Sequence, residues 1–332
     1  MKRSIGSFAI IIGFILVVSL WFGAGYVQAG SMVAESPGGS AGETIEDLDV
    51  DVTVYPESTR IVLKGAALLD AAYNGEVLDV VVLDGMIVDV GNDLDGDVVI
   101  DLAGCTLLPG LIDAHVHVAG SSGYNLELLK YWCTQGITSV REEGMLSTEN
   151  EEDYLPLIQL ANEDPACAFL VSCGKYLDEA GGYGMGPTGN MGITITGAAE
   201  ASAEITHKAE LGYPQVKVGI NSDTNRMNEE EFTAIMENAH GLGMPVAAHV
   251  KETKYLEELL AYGLDEAAHT PDDEMSASLI AAMVEQGVYM NTSGGSDSDI
   301  KIRNLKNFYE AGGFITVGTD KMRGYGTDRK SV

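Results

Sequence analysis

The 332-residue chain predicts an α/β fold, a (β/α)8 barrel of the TIM type that carries a small N-terminal β-sandwich module. Two observations lead there. From Leu111 onward, short apolar strands alternate with amphipathic helical stretches, the mark of parallel strands joined by crossover helices. Eight strand candidates can be counted in that region: Leu111 to His117, Thr138 to Arg141, Phe169 to Cys173, Val216 to Ile220, Val246 to His249, Glu266 to His269, Val288 to Asn291 and Ile315 to Thr319. Eight units suit a closed barrel, with an open doubly wound sheet as the alternative that counting leaves standing. Between the strands lie helical patterns such as Phe232, Ile235, Met236 and Ala239, entered by Asn228 as N-cap with Glu231 three residues later. Two further stripes are Tyr255, Leu256, Leu259, Leu260 and Leu279, Ile280, Met283, Val284.

The elements before the barrel differ in texture. Lys2 and Arg3 precede an apolar run from Phe8 to Phe22, and Val27-Gln28-Ala29 offers a signal-peptidase site, so residues 1–29 read as a signal peptide or a membrane anchor. The expected location is extracytoplasmic, secreted or tethered through residues 8–27. Residues 30–57, small and acidic, read as a flexible linker. Gly38-Gly39-Ser40-Ala41-Gly42 matches a hydrolase nucleophile pattern but lacks the flanking strand and helix, so it is low-complexity sequence. Residues 58–107 carry short β-branched runs punctuated by Asp84-Gly85 and Gly91-Asn92, which predicts antiparallel hairpins. Asp93, Asp95 and Asp97 resemble a calcium loop with its glycine misplaced, and read as a turn. Residues 108–332 form the barrel.

Composition excludes several functions. Fifty acidic against nineteen basic residues give a formal charge of −31, which repels phosphate backbones and argues against a nucleic-acid partner. The four cysteines show no C-x-x-C spacing, so buried free thiols are expected rather than a zinc knuckle or disulfide scaffold. Gly184-Met185-Gly186-Pro187-Thr188-Gly189 looks like a dinucleotide loop but does not join a strand to a helix. It reads as a glycine-rich loop over the barrel mouth.

The chemistry sits at strand ends. His115 and His117, two apart on an apolar strand, point to the same side and can enter one site. His249, His269 and Asp320 also stand at strand ends, the active face of a barrel. Lys217 lies inside "QVKVGI", where an isolated lysine is costly to bury unless neutralised or paired. One histidine at a strand end is ordinarily structural, but four, with an aspartate and a lysine, indicate a shared site. His207 and His240 fall within helices and read as surface or packing residues.

With these motifs in place, the chain resembles the amidohydrolase superfamily of metal-dependent hydrolases, in its imidazolonepropionase-like and prolidase-like branch. The resemblance covers about residues 58–322 and rests on "GLIDAHVHV", "GITSVRE", "GKYLDEAGGYG", "QVKVGI", "AHGLGMPVAAHV", "GLDEAAHT" and "VGTD". It implies that His115 and His117 bind one metal with Asp320, and His249 and His269 a second. It also implies that Lys217 carries a CO2-derived carbamate bridging the two ions. Zinc suits the His-rich set, and manganese, iron or cobalt would fit as well. Asp320 would move the proton of the attacking water, and the substrate would be a small-molecule amide, lactam or peptide. Tyr183 stands where relatives often carry a histidine, in the loop expected to meet substrate. The chain also ends twelve residues after Asp320, where relatives continue into the last barrel helix and the strands completing the small module, so an incomplete or partner-dependent chain is expected. A homo-oligomer is compatible with this. Two other readings are a mononuclear deaminase, which has no use for Lys217, and a catalytically silent binding protein.

Overall fold

The computed structural model describes residues 53–322, apart from 121, 122, 125, 146, 148, 149, 187–191 and 294–297, together with the extended pieces Phe8–Ile11, Val18–Leu20 and Gln28–Ala29. Most of the signal or anchor expected over 1–29 and of the linker over 30–57 lies outside the described residues, and the Gly38–Gly42 string and residues 187–189 of the glycine-rich string lie wholly outside them. Among the described residues no helix is long and apolar enough to cross a membrane.

Two compact units are present. The first comprises residues 1–112, 126–140 and 158–170. Its sheet is built on Arg60–Leu69, which pairs antiparallel with Asn74–Leu83, itself paired with Met86–Gly91. Asp84 and Gly85 make the predicted tight turn, both at positive φ (47° and 71°) as a primed hairpin turn requires. The expectation of a purely antiparallel module fails for the next two strands. Val98–Asp101 and Thr106–Pro109 run parallel to Arg60–Leu69. The acidic turn is the cause: Asp97 accepts the Arg60 N–H at 2.9 Å and donates its own N–H to the Arg60 carbonyl at 2.8 Å, while the Arg60 Nε donates to the Asp95 carbonyl. The chain is thereby returned to the start of Arg60–Leu69 and must run alongside it in the same direction. Ile61, Leu63, Leu68, Val80, Val82 and Leu107 fill the core of this unit. Helix α1 (Leu126–Thr134) buries Leu128, Leu129, Trp132 and Cys133, and α2 (Leu155–Glu163) buries Ala161.

The second unit comprises residues 113–125, 141–157 and 171–332. Val216–Gly219, Val246–His249, Glu266–Ala267, Tyr289–Asn291 and Phe314–Thr316 pair in that order, every pair parallel. They alternate with α3 (Ala198–Leu211), α4 (Glu229–Gly241), α5 (Thr253–Tyr262), α6 (Ala277–Gln286) and α7 (Asp299–Glu310). This is the (β/α) barrel alternation read from the sequence. Helix α4 starts as expected: the Asn228 side chain accepts the N–H groups of Glu230 and Glu231, and the Glu231 carboxylate accepts the Asn228 N–H at 2.8 Å. Its stripe of Phe232, Ile235, Met236 and Ala239 joins Val216, Val218, Val246 and Ala248 in one continuous core. Each large aliphatic or aromatic side chain buried there contributes on the order of 1.5–3 kcal/mol.

The alternation of strand side chains sets up the site. Val216 and Val218 face the helices, which turns Lys217 and Gly219 inward, and Val246 and Ala248 do the same for Ala247 and His249. The last strand closes on the first through two backbone hydrogen bonds. The Ala114 N–H donates to the Val317 carbonyl and the Asp320 N–H to the His115 carbonyl, both at 2.8 Å.

Candidate functional site

Asp320 reaches the histidine pair because the segment before it is locked to the first strand. The Asp113 carboxylate accepts the Thr319 N–H at 3.0 Å and its hydroxyl at 2.6 Å. Gly318 is required by contact: a Cβ there would stand 2.5 Å from both His115 Cβ and Asn291 Oδ1. Asp320 itself adopts the left-handed region at φ 55°, uncommon for a side chain larger than glycine and typical of a residue aimed by its surroundings. Its Oδ1 lies 3.4 Å from His115 Nε2 and 3.2 Å from His117 Nε2. His115, His117 and Asp320 thus form a cluster whose donor atoms fall within 4.8 Å of one another.

The electrostatics suit a cation. Burial, reinforced by the nearby Lys217 charge, pushes His115 well below the ordinary histidine value, and His269 falls to about 3 for the same reasons. Burial and the neighbouring His269 lower His249 likewise. These rings are neutral at physiological pH, the form in which imidazole ligates metals. Burial opposes ionisation of Asp320, but the hydrogen bond and charge of His117 outweigh it and keep the carboxyl below its ordinary value. His117 donates from Nδ1 to the Gly144 carbonyl at 2.7 Å, leaving Nε2 to face Asp320. His115 Nε2 is buried without a hydrogen-bond partner, and His249 Nδ1 faces His269 Nε2 at 2.7 Å. A divalent ion satisfies an orphaned ring nitrogen and can be shared by two facing ones, so the donor set fits the metals that the sequence pattern implies.

Lys217 has a partner that sequence reasoning missed. Its ammonium lies 2.7 Å from Glu143 Oε2, and both side chains are fully buried. Glu143 also takes the Arg141 guanidinium at 2.9 Å and the Gln215 amide at 2.9 Å, and Arg141 bridges onward to Glu266. Burial opposes the Glu143 charge, yet Lys217 and Arg141 hold it below the ordinary carboxylate value. The signal was the acidic pair Glu142-Glu143 at the end of the strand Ile137–Glu142. Glu142 is the packing member, accepting the Val118 N–H at 3.0 Å and the Ser172 hydroxyl at 2.7 Å.

Comparison with known proteins settles the family. The Amidohydrolase family model matches residues 106–324. The chain belongs to the amidohydrolase family. A dihydroorotase of Pelobacter propionicus (strain DSM 2379 / NBRC 103807 / OttBd1) is 25% identical over 276 residues, which cover 77% of this chain and 61% of that one. An adenine deaminase of Listeria monocytogenes serotype 4b (strain F2365) is 30% identical over 102 residues, 30% of this chain and 17% of the relative. Each of these matches spans less than two thirds of the relative's length. Among solved structures, a prolidase complexed with N-methylphosphonate-L-proline superposes with a TM-score of 0.64 at 21% identity, covering 79% of each chain. An ochratoxinase of A. niger superposes at 0.60 and 17% identity, covering 81% of this chain and 77% of the other.

Within this amidohydrolase fold, the described start of the glycine-rich loop, residues 181–186, carries Tyr183 over the second histidine pair. The Tyr183 ring stacks on His249 with centroids 3.5 Å apart, and Tyr176 stacks near His117 at 6.4 Å. Tyr183 keeps 44% of its surface exposed, and burial of the remainder with the Asp320 charge raises its phenol, which remains a hydrogen-bond donor. The loop is clamped by Asp178, a second residue that the sequence did not flag, whose carboxylate accepts the Glu179 N–H at 2.8 Å and the Gly184 N–H at 2.9 Å. A Cβ on Gly182 would sit 2.3 Å from Asp178 Oδ1, so only glycine admits the carboxylate there. A cavity of about 140 Å³ opens beside Asp178, Tyr183, Gly219, Asn221, Ser222 and Asn225.

Burial raises Asp178 from 3.8 to about 7 despite these hydrogen bonds. A carboxyl with a higher pKa folded than unfolded stabilises the fold below pH 3.8, and that contribution is lost as pH rises through about 7. The permanently neutral Asp178→Asn variant will therefore lose less thermal stability than wild type between about pH 5 and pH 8. Equal slopes in thermal melts would show that Asp178 does not titrate there. His207 and His240 stand apart, paired at the surface with Glu152 at 3.1 Å and Asp265 at 2.8 Å. The four cysteines are buried thiols outside any disulfide.

Proposed function

We propose that this protein hydrolyses a C–N bond, of amide, lactam or peptide type, in a small molecule, using metal-activated water. The observation that carries the reading is the meeting of His115, His117 and Asp320 beside the facing pair His249 and His269, in a chain of the amidohydrolase family. Under this reading His115, His117 and Asp320 hold one ion, and His249 and His269 the second, with zinc the favoured metal. Bound there, divalent ions would lower the pKa of water and polarise the scissile carbonyl. Lys217 would serve as their bridge after its amine adds CO2 and releases a proton to become a carbamate, while Glu143 keeps its contacts with Arg141 and Gln215. Asp320, ionised and aimed by its backbone, would accept the proton of the attacking water and return it to the leaving nitrogen. The Tyr183 phenol would donate to the substrate from the open side, and the cavity beside Asn221 and Asn225 would receive part of the substrate.

The prolidase and ochratoxinase folds support testing dipeptides and N-acyl amino acids first, and the dihydroorotase likeness supports cyclic amides. Export, by cleavage or tethering, is part of the proposal and is supported by Lys2, Arg3 and the apolar run that follows. The test is metal analysis of protein expressed with bicarbonate and zinc, followed by a screen of these substrates. The expected result is about two ions per chain and turnover that both fall in Lys217→Ala. One ion with release of ammonia from a nucleobase would establish the deaminase reading instead, and no stoichiometric metal would mean a silent barrel.

A further inference from the structure

Ser293, just beyond the strand Tyr289–Asn291, is buried against both halves of the histidine cluster. Its Oγ lies 2.9 Å from His115 Nδ1 and 3.0 Å from His269 Nδ1, and makes a short contact with the Ala268 carbonyl. One hydroxyl carries one proton and two lone pairs, so the arrangement can be solved. A carbonyl oxygen only accepts, and so close an approach between two oxygens needs a proton between them. The Ser293 O–H is therefore committed to Ala268, and its oxygen is left as an acceptor. His269 must then donate from Nδ1, which leaves the His269 Nε2 lone pair facing His249 Nδ1. His115 has independent support, because its Nδ1 also reaches the Ala268 carbonyl directly at 3.0 Å.

We infer that Ser293 is the positioning residue of the second metal position: its hydroxyl holds His269 in the tautomer whose Nε2 can ligate, while His115 keeps that form without it. The inference rests on the two-ion reading above and concerns a residue that touches neither substrate nor reacting atoms. Losing such an outer partner typically weakens metal binding about 10–100-fold. The effect here is selective. Zinc titration of the full chain against a chromophoric chelator will show one of two zinc equivalents weakened by about that factor in Ser293→Ala, with the other within about threefold of wild type. Equal weakening of both equivalents, or of neither, would overturn the inference.

Imidazole tautomers in metal-free wild-type protein, read by long-range 15N–1H NMR, give a second measurement that needs neither a folded variant nor bound zinc. His269 protonated at Nδ1 supports the assignment, and His269 protonated at Nε2 defeats it. A wild-type chain that binds fewer than two zinc ions would count against the proposed function, while the tautomer measurement would still decide the role of Ser293.

Discussion

Asp320→Asn is expected to lower turnover by about 10²–10⁴-fold while the fold persists, because the substitution removes proton transfer and little else. The backbone argument isolates the chemistry. Asp320 occupies the left-handed region at φ 55°, which asparagine tolerates among the few non-glycine residues that do. Its N–H bond to the His115 carbonyl is a main-chain bond and survives the change. The amide oxygen can still face His115 and His117, so bound metal should fall less than turnover does. What the amide cannot do is accept a proton at neutral pH, whereas the native carboxyl, held below its ordinary value by His117, is ionised and ready. The measurement is kcat on the best substrate of the screen beside metal content of the same preparation. A variant with more than a tenth of wild-type turnover would remove Asp320 from proton transfer and leave it a ligand only.

The histidines were legible because their signal is local. A period of two puts His115 and His117 on one face of one strand, and a histidine closing an apolar run places itself at the mouth of a barrel. The capping box at Asn228 and the turn at Asp84-Gly85 were legible for the same reason, each being complete within four residues. The residues that were missed depend on distant partners. Glu143 gains its meaning from Lys217, 74 positions away, and Ser293 from His115, 178 positions away. Nothing local distinguishes that serine from a loop serine. The parallel strands of the first unit were missed similarly, since only the pairing of Asp97 with Arg60, 37 positions apart, reverses the expected direction. Lys217 sits between these cases: its burial was readable as a problem and the resemblance offered a carbamate as an answer, but its ion pair with Glu143 was not readable.

Glu143→Ala is expected to cost the metal-free protein about 3–5 kcal/mol, the usual penalty for stranding one charge of a buried pair. Both partners are fully buried, so water cannot replace the lost carboxylate, and Arg141 retains Glu266 while Lys217 retains no acid of comparable distance among its described contacts. The double variant Glu143→Ala with Lys217→Met should recover much of the loss, because an apolar replacement of a buried pair is often neutral or better. Urea denaturation of the four proteins closes the cycle and yields the coupling directly. The sign of that coupling reports the chemical state of Lys217. An ammonium attracts Glu143, so the metal-free cycle should show strong favourable coupling. A carbamate repels it, so after expression with bicarbonate and zinc the coupling should shrink or reverse. Unchanged coupling under the two conditions would mean that Lys217 remains an ammonium, and that the ion pair with Glu143 is the final answer to the buried lysine.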